Sequence, residues 1–386
     1  MSTSHEKRRQ HLSLAMFHAG QGPPELHEFI QGCIEGNTDK VSKHIKSRKN
    51  KKVLGGKKVI KVDITEPVLE NTTALFLSCQ GNTKGHALVV RHLIKRGAPI
   101  RNKKSGRTGL HRACSANAVE VVREWLGLYP NALSASSFDG STPLSLATQC
   151  GSIGCVELLI KNGVDPDEMA VNKSTAIFLA CATNNIEILT LLLGKRAQAD
   201  PEIPNQDGET PLFTAASQGF EKIVRILLEQ KLSTSCINSK VDKLAGQTAL
   251  IAAARRGNVS ICQLLLDNGA DIETPDHQGR TALYAASQEG HIKTVNLLLQ
   301  LGADLEPITA NETTPLSISA KNGHLLVFEA LIAEGANILI TDSMGRSLFE
   351  IGCLGGDGAI LGSLVKHGAR EKRWYVKSDA VSKCSW

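Results

Sequence analysis

Ten cysteines and a few histidines are the residues of this 386-residue chain that could bind a metal or act as nucleophiles. A zinc site uses Cys or His ligands at short, fixed spacings, and the chain has no CxxC pair. Cys114, Cys181 and Cys353 recur at one position, six residues after a Thr or Ser, and we expect them to be core thiols, which are unreactive when buried. His291 and His324 each follow a glycine at one offset, which predicts turn-stabilising side chains. We therefore expect no metal site and no cofactor.

The sequence shows no arrangement typical of an enzyme. The segment Gly55-Gly56-Lys57-Lys58 lacks the Gly-x4-Gly-Lys-Ser/Thr spacing of a phosphate-binding loop, and no nucleophile can be matched with a base. No apolar run reaches the roughly 18 residues of a membrane-spanning helix, and the N-terminus is a poor secretory signal. Cysteines without a disulfide pattern fit a reducing compartment. We expect an intracellular protein, cytoplasmic and/or nuclear, that is neither an enzyme nor transmembrane and has no small-molecule substrate.

Charge is divided unevenly along the chain. Residues 1–119 contain 22 Lys and Arg against 8 Asp and Glu, whereas the remainder contains 22 against 30. Residues 40–61 include ten basic side chains and residues 71–119 include nine, with no acidic side chain in either segment. For residues 40–61 a solvated surface is the favoured interpretation, beside a nuclear-import-like stretch or a basic loop for anionic partners.

A repeat of about 33 residues organises the elements that would position these side chains. The Thr residues that open successive units are spaced by 34, 33, 35, 38, 33 and 33 residues. They are Thr108, Thr142, Thr175, Thr210, Thr248, Thr281 and Thr314. Each Thr can cap a first helix, an Ala-rich centre allows close packing, and a Gly nine residues later in several units suits a left-handed turn. A second helix with a Leu pair follows, and then a Gly-Ala turn leads into a hairpin finger.

With this period and openings such as TPLFTAASQG, the chain resembles the ankyrin-repeat family. The resemblance implies an all-α solenoid of stacked helix-turn-helix units with hairpin fingers. Nine repeats are supported, and residues 29–45 suggest a tenth. Four segments are expected: a disordered N-terminal segment (1–22), a capping or degenerate repeat with a basic loop (23–70), the repeat array (71–370) and a short tail (371–386).

Departures from the repeat predict local irregularities. Five additional residues around 233–244 predict an enlarged finger, and residues 127–130 replace the usual Gly-Ala with a reshaped turn. Asn184 and Arg196 stand where glycine is usual, and of the two only Asn tolerates a left-handed backbone well. The glycine-rich last unit should fray first, because glycine weakens helices.

The family resemblance implies a protein-binding scaffold or adaptor that holds partners on its fingers and inner helices. The candidate partner-binding residues are the charged side chains expected at those positions. They are Arg101, Lys103, Lys104, Arg107, Arg112, His277, Arg280 and Arg346. The first five predict a basic groove that suits an acidic or phosphorylated protein segment.

Two alternatives remain open at this point. The basic segments could associate electrostatically with anionic lipid or with nucleic-acid phosphates. The chain could also recruit substrates to a ubiquitin ligase, although no docking box is recognisable at the C-terminus. Sequence-specific nucleic-acid binding is not expected, because Phe76 and Trp125 are the aromatic residues near the basic cluster and base stacking needs several.

Overall fold

The computed structural model describes residues 24–45, 73–307 and 309–367. These residues form ten pairs of short helices and no β-strand, with isolated β-bridges in some fingers. The prediction of an all-α helix-turn-helix repeat is confirmed, and the tenth repeat near the N-terminus is one of the ten pairs. The contacts of the chain divide it into two compact units, residues 1–199 and 200–386. The predicted boundaries at residues 22, 70 and 371 lie outside the described residues.

The N-terminal unit contains five helix pairs. Its helices are α1 (Pro24–Glu35), α2 (Thr38–His44), α3 (Ala74–Ser78), α4 (Lys84–Lys95), α5 (Gly109–Ser115), α6 (Val119–Leu128), α7 (Pro143–Gln149), α8 (Ile153–Lys161), α9 (Ala176–Ala182) and α10 (Ile186–Leu193). The first helices α5, α7 and α9 contact one another in sequence, as do the second helices α4, α6, α8 and α10. The unit therefore has two helical layers whose shared apolar seam is its core.

The C-terminal unit repeats this arrangement. Its helices are α11 (Pro211–Gln218), α12 (Glu221–Leu228), α13 (Thr234–Ile237), α14 (Ala249–Arg255), α15 (Val259–Asp267), α16 (Ala282–Glu289), α17 (Ile292–Gln300), α18 (Pro315–Lys321), α19 (Leu325–Ala333), α20 (Leu348–Gly355) and α21 (Gly358–Lys366). First helices α11, α14, α16, α18 and α20 contact in succession, and second helices α12, α15, α17, α19 and α21 do the same. The four-residue α13 lies outside this pairing.

Six of the repeated Thr residues cap a first helix with their side chains, as the sequence suggests. Thr210 Oγ1, for example, accepts a hydrogen bond from the backbone N–H of Phe213 at 3.1 Å, which satisfies one unpaired donor of the first turn. At the other end of that helix Gly219 has φ +81°, in the left-handed region that side chains disfavour. Between them Ala215 and Ala216 are fully buried, because a small side chain lets adjacent first helices pack closely.

The structure accounts for each irregular unit. The segment 233–244 forms α13 and a 3-10 turn, and its Val241 packs with Phe213 and Ala252. A 3-10 turn (Pro130–Ala132) follows α6 in place of the Gly-Ala turn. Asn184 adopts φ +54° as predicted.

In the turn after α10, the residue with a left-handed backbone is not Arg196, which stands where glycine is usual. It is Gln198, at φ +51°, two residues beyond Arg196. Arginine is disfavoured in this conformation. The turn forms at Gln198 instead, where Ala197 and Gln198 both donate backbone hydrogen bonds to the Gly194 carbonyl.

Histidines and glutamates join successive repeats of the C-terminal unit. His291 and His324 hydrogen-bond through Nε2 to the carbonyl oxygens of Arg255 and Gln288, each at 2.9 Å, which is the turn-stabilising role that their shared offset predicts. The sequence did not predict a second series of hydrogen bonds between repeats, which glutamates accept. Glu273 and Glu306 each accept a hydrogen bond from a backbone N–H that lies 31 residues further on, at 2.8 and 2.7 Å. These bonds pair backbone N–H groups of the fingers that would otherwise hydrogen-bond to water.

Candidate functional site

Five of the candidate residues lie in the N-terminal unit, four of them in residues 97–108, which we term the first finger. The finger is a hairpin closed by a β-bridge between Arg101 and Thr108. Its tip is folded by the Asn102 side chain, whose Oδ1 accepts from the backbone N–H groups of Lys104 and Ser105 at 2.9 and 3.1 Å. This turn leaves the side chains of Lys103 and Lys104 exposed at the tip.

The two arginines of the first finger contact the next hairpin, residues 129–142, which we term the second finger. Arg101 Nη1 donates to the Ser136 carbonyl at 3.1 Å, and Arg107 Nη2 donates to Asp139 Oδ2 at 2.9 Å. Burial acts to raise the pKa of Asp139, but hydrogen bonds from Ser137, Ser141 and Arg107 outweigh it and hold that pKa well below its usual range. Arg107 therefore faces a carboxylate that stays ionised.

Arg112 lies on α5, on the first-helix layer, where the sequence places it. Its Nε donates to the side-chain amide oxygen of Gln80 at 2.9 Å in the amide orientation that satisfies both groups. Gln80 belongs to the preceding repeat, so this bond ties α5 to its neighbour. The structure thus brings Arg101, Lys103 and Arg107 together in one finger and places Arg112 on the helix that follows.

His111 connects the base of the first finger to the second finger and was not singled out by sequence. Its Nδ1 accepts from the Thr108 N–H at 3.1 Å, while its Nε2 lies 3.0 Å from the Ser141 carbonyl, which requires the tautomer protonated at Nε2. The ring is fully buried, and burial lowers the pKa of His111. A neutral histidine therefore fixes the spacing of the two fingers.

The other three candidates lie in the C-terminal unit, with His277 and Arg280 in one finger and Arg346 in another. Arg280 donates through Nε to buried Asp276 at 2.7 Å, and Arg346 donates to buried Asp342 at the same distance. His277 Nε2 lies 3.3 Å from Asp242 Oδ1. Both arginines therefore stabilise their own hairpins. A partner-binding role for these three residues stays a prediction.

Two arginines on the second helices of the N-terminal unit pair with glutamates of the same layer. A groove of about 440 Å³ between α4 and α6 is lined by Arg91 and Arg123. Arg91 binds both oxygens of Glu124, and Arg123 binds Glu120 at 2.9 Å. The hydrogen bond and charge of Glu124 raise the pKa of Arg91. Within residues 71–119, Arg91 on this layer and Arg107 on the first finger therefore both have carboxylate partners.

The exposed aromatic residue beside the basic finger is Phe138, which the sequence interpretation missed. Phe76 and Trp125 are 6% and 1% exposed and belong to the core, whereas Phe138 is 69% exposed on the second finger. Phe138 stands four residues before an opening Thr, a finger position that is Lys104, Val171, Leu244 or His277 in other units, so the spacing alone did not distinguish it.

Three general features of the described ranges bear on function. No group of three or more His, Cys, Asp or Glu side chains there is arranged to hold a metal ion. Among those residues, no helix has the length and apolar character needed to cross a bilayer. Cys114 and Cys181 are fully buried as predicted, while Cys353 is partly exposed because it lies on the last described pair of helices.

Comparison with known proteins identifies the repeat independently. The profile for ankyrin repeats in three copies matches overlapping segments from residue 83 to residue 309, and the single ankyrin-repeat profile matches residues 311–343. The matched segments together extend from α4 to α19, so the family profiles and the structure identify the same repeated helices.

Three similar proteins illustrate the range of relatives. The chain is 29% identical over 219 residues to leucine-rich repeat serine/threonine-protein kinase 1 of Caenorhabditis elegans, covering 53% of this chain and 8% of that protein. It is 30% identical over 176 residues to the B-cell lymphoma 3 protein homolog of Mus musculus (44% and 38%), and 28% identical over 219 residues to human ankyrin repeat and SOCS box protein 16 (55% and 47%). The chain thus spans less than half of each of these relatives. The ankyrin-repeat profiles, which match more than half of the chain, establish that it belongs to the ankyrin-repeat family.

Proposed function

We propose that this protein is a non-catalytic scaffold or adaptor whose first finger and α5 bind an acidic or phosphorylated segment of a partner protein. Ankyrin repeats support the general role of protein-protein interaction. One observation carries the finer proposal: the first finger presents four basic side chains and no acidic one. Since its tip is folded by the Asn102 side chain, the backbone that carries the lysines is fixed before a partner arrives.

The test is a charge reversal restricted to the tip. Lys103→Glu with Lys104→Glu changes the surface charge by the same amount as Lys161→Glu with Lys222→Glu, which alters exposed positions on α8 and α12. Arg107 and Arg112 are left intact, because a Glu at position 107 would face Asp139 and disturb the finger itself. Fluorescence anisotropy with a labelled Glu-rich peptide and its phosphoserine counterpart then measures affinity.

We expect the tip variant to weaken peptide binding by about tenfold, because two attractive charges become repulsive. The matched double variant should bind within about twofold of the parent and melt at the same temperature. Equal affinities of the parent and the tip variant would contradict the proposal.

Electrostatic association with phosphate polymers or anionic membranes is the competing function. Phosphatidylserine vesicles and an oligothymidine probe test it with the same variants. Tighter binding to either probe than to the peptide, falling steeply with added salt and lost in the tip variant, would favour that function.

A further inference from the structure

The Phe138 ring rests against the first finger although it belongs to the second. Its backbone N–H donates to the Ser105 carbonyl at 3.0 Å. A methyl group added at Gly106 would stand 2.5 to 2.8 Å from three atoms of the ring, so the ring lies directly on that glycine. One exposed apolar side chain is ordinary on a protein surface, but this one is held in position by the neighbouring finger. A fixed aromatic ring loses little side-chain entropy when a ligand covers it.

The charges around Phe138 change sign across the unit. The first finger is wholly basic, and Asp139, next to the ring, is bound by Arg107. In the hairpin that follows α8, residues 162–175, the charge is mainly acidic. Asp165 and Glu168 lie there, and burial together with the charge of Asp165 raises the pKa of Glu168. A long polyanion that crossed all three hairpins would be repelled at the third, whereas a short acidic segment would not.

Apolar surface also continues beyond the ring. Met169 and Val171 of the third hairpin are exposed, and the backbone of Val171 passes 3.7 Å from the position a Cβ would take at Gly140, two residues after Phe138. An acidic segment bound at the first finger therefore has exposed apolar surface within reach on the second and third hairpins, beside the Arg107–Asp139 pair.

We propose that Phe138 and the lysines of the first finger form one surface for an extended acidic segment that carries a single large apolar side chain. The proposal rests on the proposed function and adds to it a specificity determinant. The carboxylates of the segment face Lys103 and Lys104, and its apolar side chain covers the Phe138 ring. The lysine charges attract and orient the acidic segment. Contact with the Phe138 ring favours acidic segments that carry a large apolar side chain.

The experiment compares two fluorescein-labelled peptides of Asp and Glu, one with a central Phe and one with Ala at that position. Both are titrated against the full chain and against Phe138→Ala, with Leu339→Ala as the matched control. Leu339 is 82% exposed on a finger of the C-terminal unit, so its truncation removes exposed apolar surface at a distant position. Thermal melting checks that each variant is folded.

We expect the Phe peptide to bind the parent about tenfold more tightly than the Ala peptide, and Phe138→Ala to abolish that difference. Leu339→Ala should preserve it.

The outcomes separate the two proposals. If both peptides bind equally and both depend on the tip lysines, the Phe138 inference is wrong while the proposed function stands. If the binding of neither peptide depends on the tip lysines or on Phe138, both proposals are wrong. Binding of an oligothymidine probe that is lost in Phe138→Ala, with no preference between peptides, would overturn the inference in favour of base stacking.

Discussion

At the scale of single residues, His111 shows how one buried ring couples the basic finger to its neighbour. Protonation at Nδ1 would place a proton against the Thr108 N–H, which already donates to that atom. Because burial lowers the pKa of His111, the unfolded chain takes up a proton near pH 6.5 that the folded chain refuses. The stability that depends on neutral His111 is therefore present above about pH 6.5 and decreases as the pH falls below it.

His111→Gln should make the stability of the N-terminal unit less dependent on pH. Gln removes the titrating ring, so the free energy of unfolding should be lower at neutral pH by about 1–2 kcal/mol but should fall less steeply toward about pH 5. Urea denaturation of parent and variant across this range measures the slopes.

Ser145→Ala is the matched control, because Ser145 fills the same position in the capping box of Thr142 without a titratable group. Ser145→Ala should lower the free energy of unfolding and leave its dependence on pH as in the parent. Identical slopes for the parent and His111→Gln would show that His111 does not titrate as argued.

At the scale of elements, the last described helix pair contains glycines of two kinds. At Gly362, within α21, an added methyl group would meet no atom within 4 Å. At Gly355, the last residue of α20, it would stand 2.5 Å from the backbone oxygen of Lys321 on α18. The first glycine weakens its helix without serving the packing, whereas the second allows two first helices to approach closely.

Gly362→Ala should therefore stabilise this pair by about 0.5–1 kcal/mol, the difference in helix propensity. Gly355→Ala should destabilise it by about 1–3 kcal/mol, because backbone must shift to admit the methyl group. Hydrogen exchange of the α20 and α21 amides gives the local change and also tests whether this unit frays first. A loss of protection in Gly362→Ala would contradict the assignment.

The same scale explains which irregular units could be anticipated. The enlarged finger at 233–244 followed from counting residues between Thr210 and Thr248, but α13 within it did not. A four-residue helix has little periodicity to detect, and it forms here with Cys236 and Ile237 buried under the finger.

For the whole molecule, the cysteines report the stability of both units under native conditions. Cys150 is exposed, whereas most of the other described cysteines are buried. Burial raises the pKa of Cys33 to about 12, although a hydrogen bond with Ser78 opposes it, and raises that of Cys262 to about 12. Since the thiolate is the reactive form, a buried thiol reacts only after its repeat opens.

Among the cysteines of the described ranges, Cys150 should be alkylated first in the native protein and Cys353 next. Cys114, Cys181 and Cys262 should react at least about 100-fold more slowly, at rates set by local unfolding. Peptide mass spectrometry at successive times identifies each site, and Cys150→Ser should remove the earliest label without changing the others. Rapid labelling of Cys114 or Cys262 would be inconsistent with the packing described.

The sequence by itself determined the repeat, its register and the order of the helix pairs. These features depend on local rules: a Thr cap, an apolar helix face, and a glycine or Asn184 where the backbone turns left-handed. It also located the basic finger, since Lys103 and Lys104 are adjacent in the chain.

Only the tertiary structure decided how the fingers meet. The bonds from Arg101 to Ser136 and from Arg107 to Asp139 join residues 35 and 32 positions apart, and the resting place of Phe138 on Gly106 spans a similar distance. Such contacts depend on the offset between two hairpins of unequal length, which no local pattern encodes. For that reason the sequence indicated where the charge lies, while the fold determined which charges are neutralised and which aromatic ring is exposed beside them.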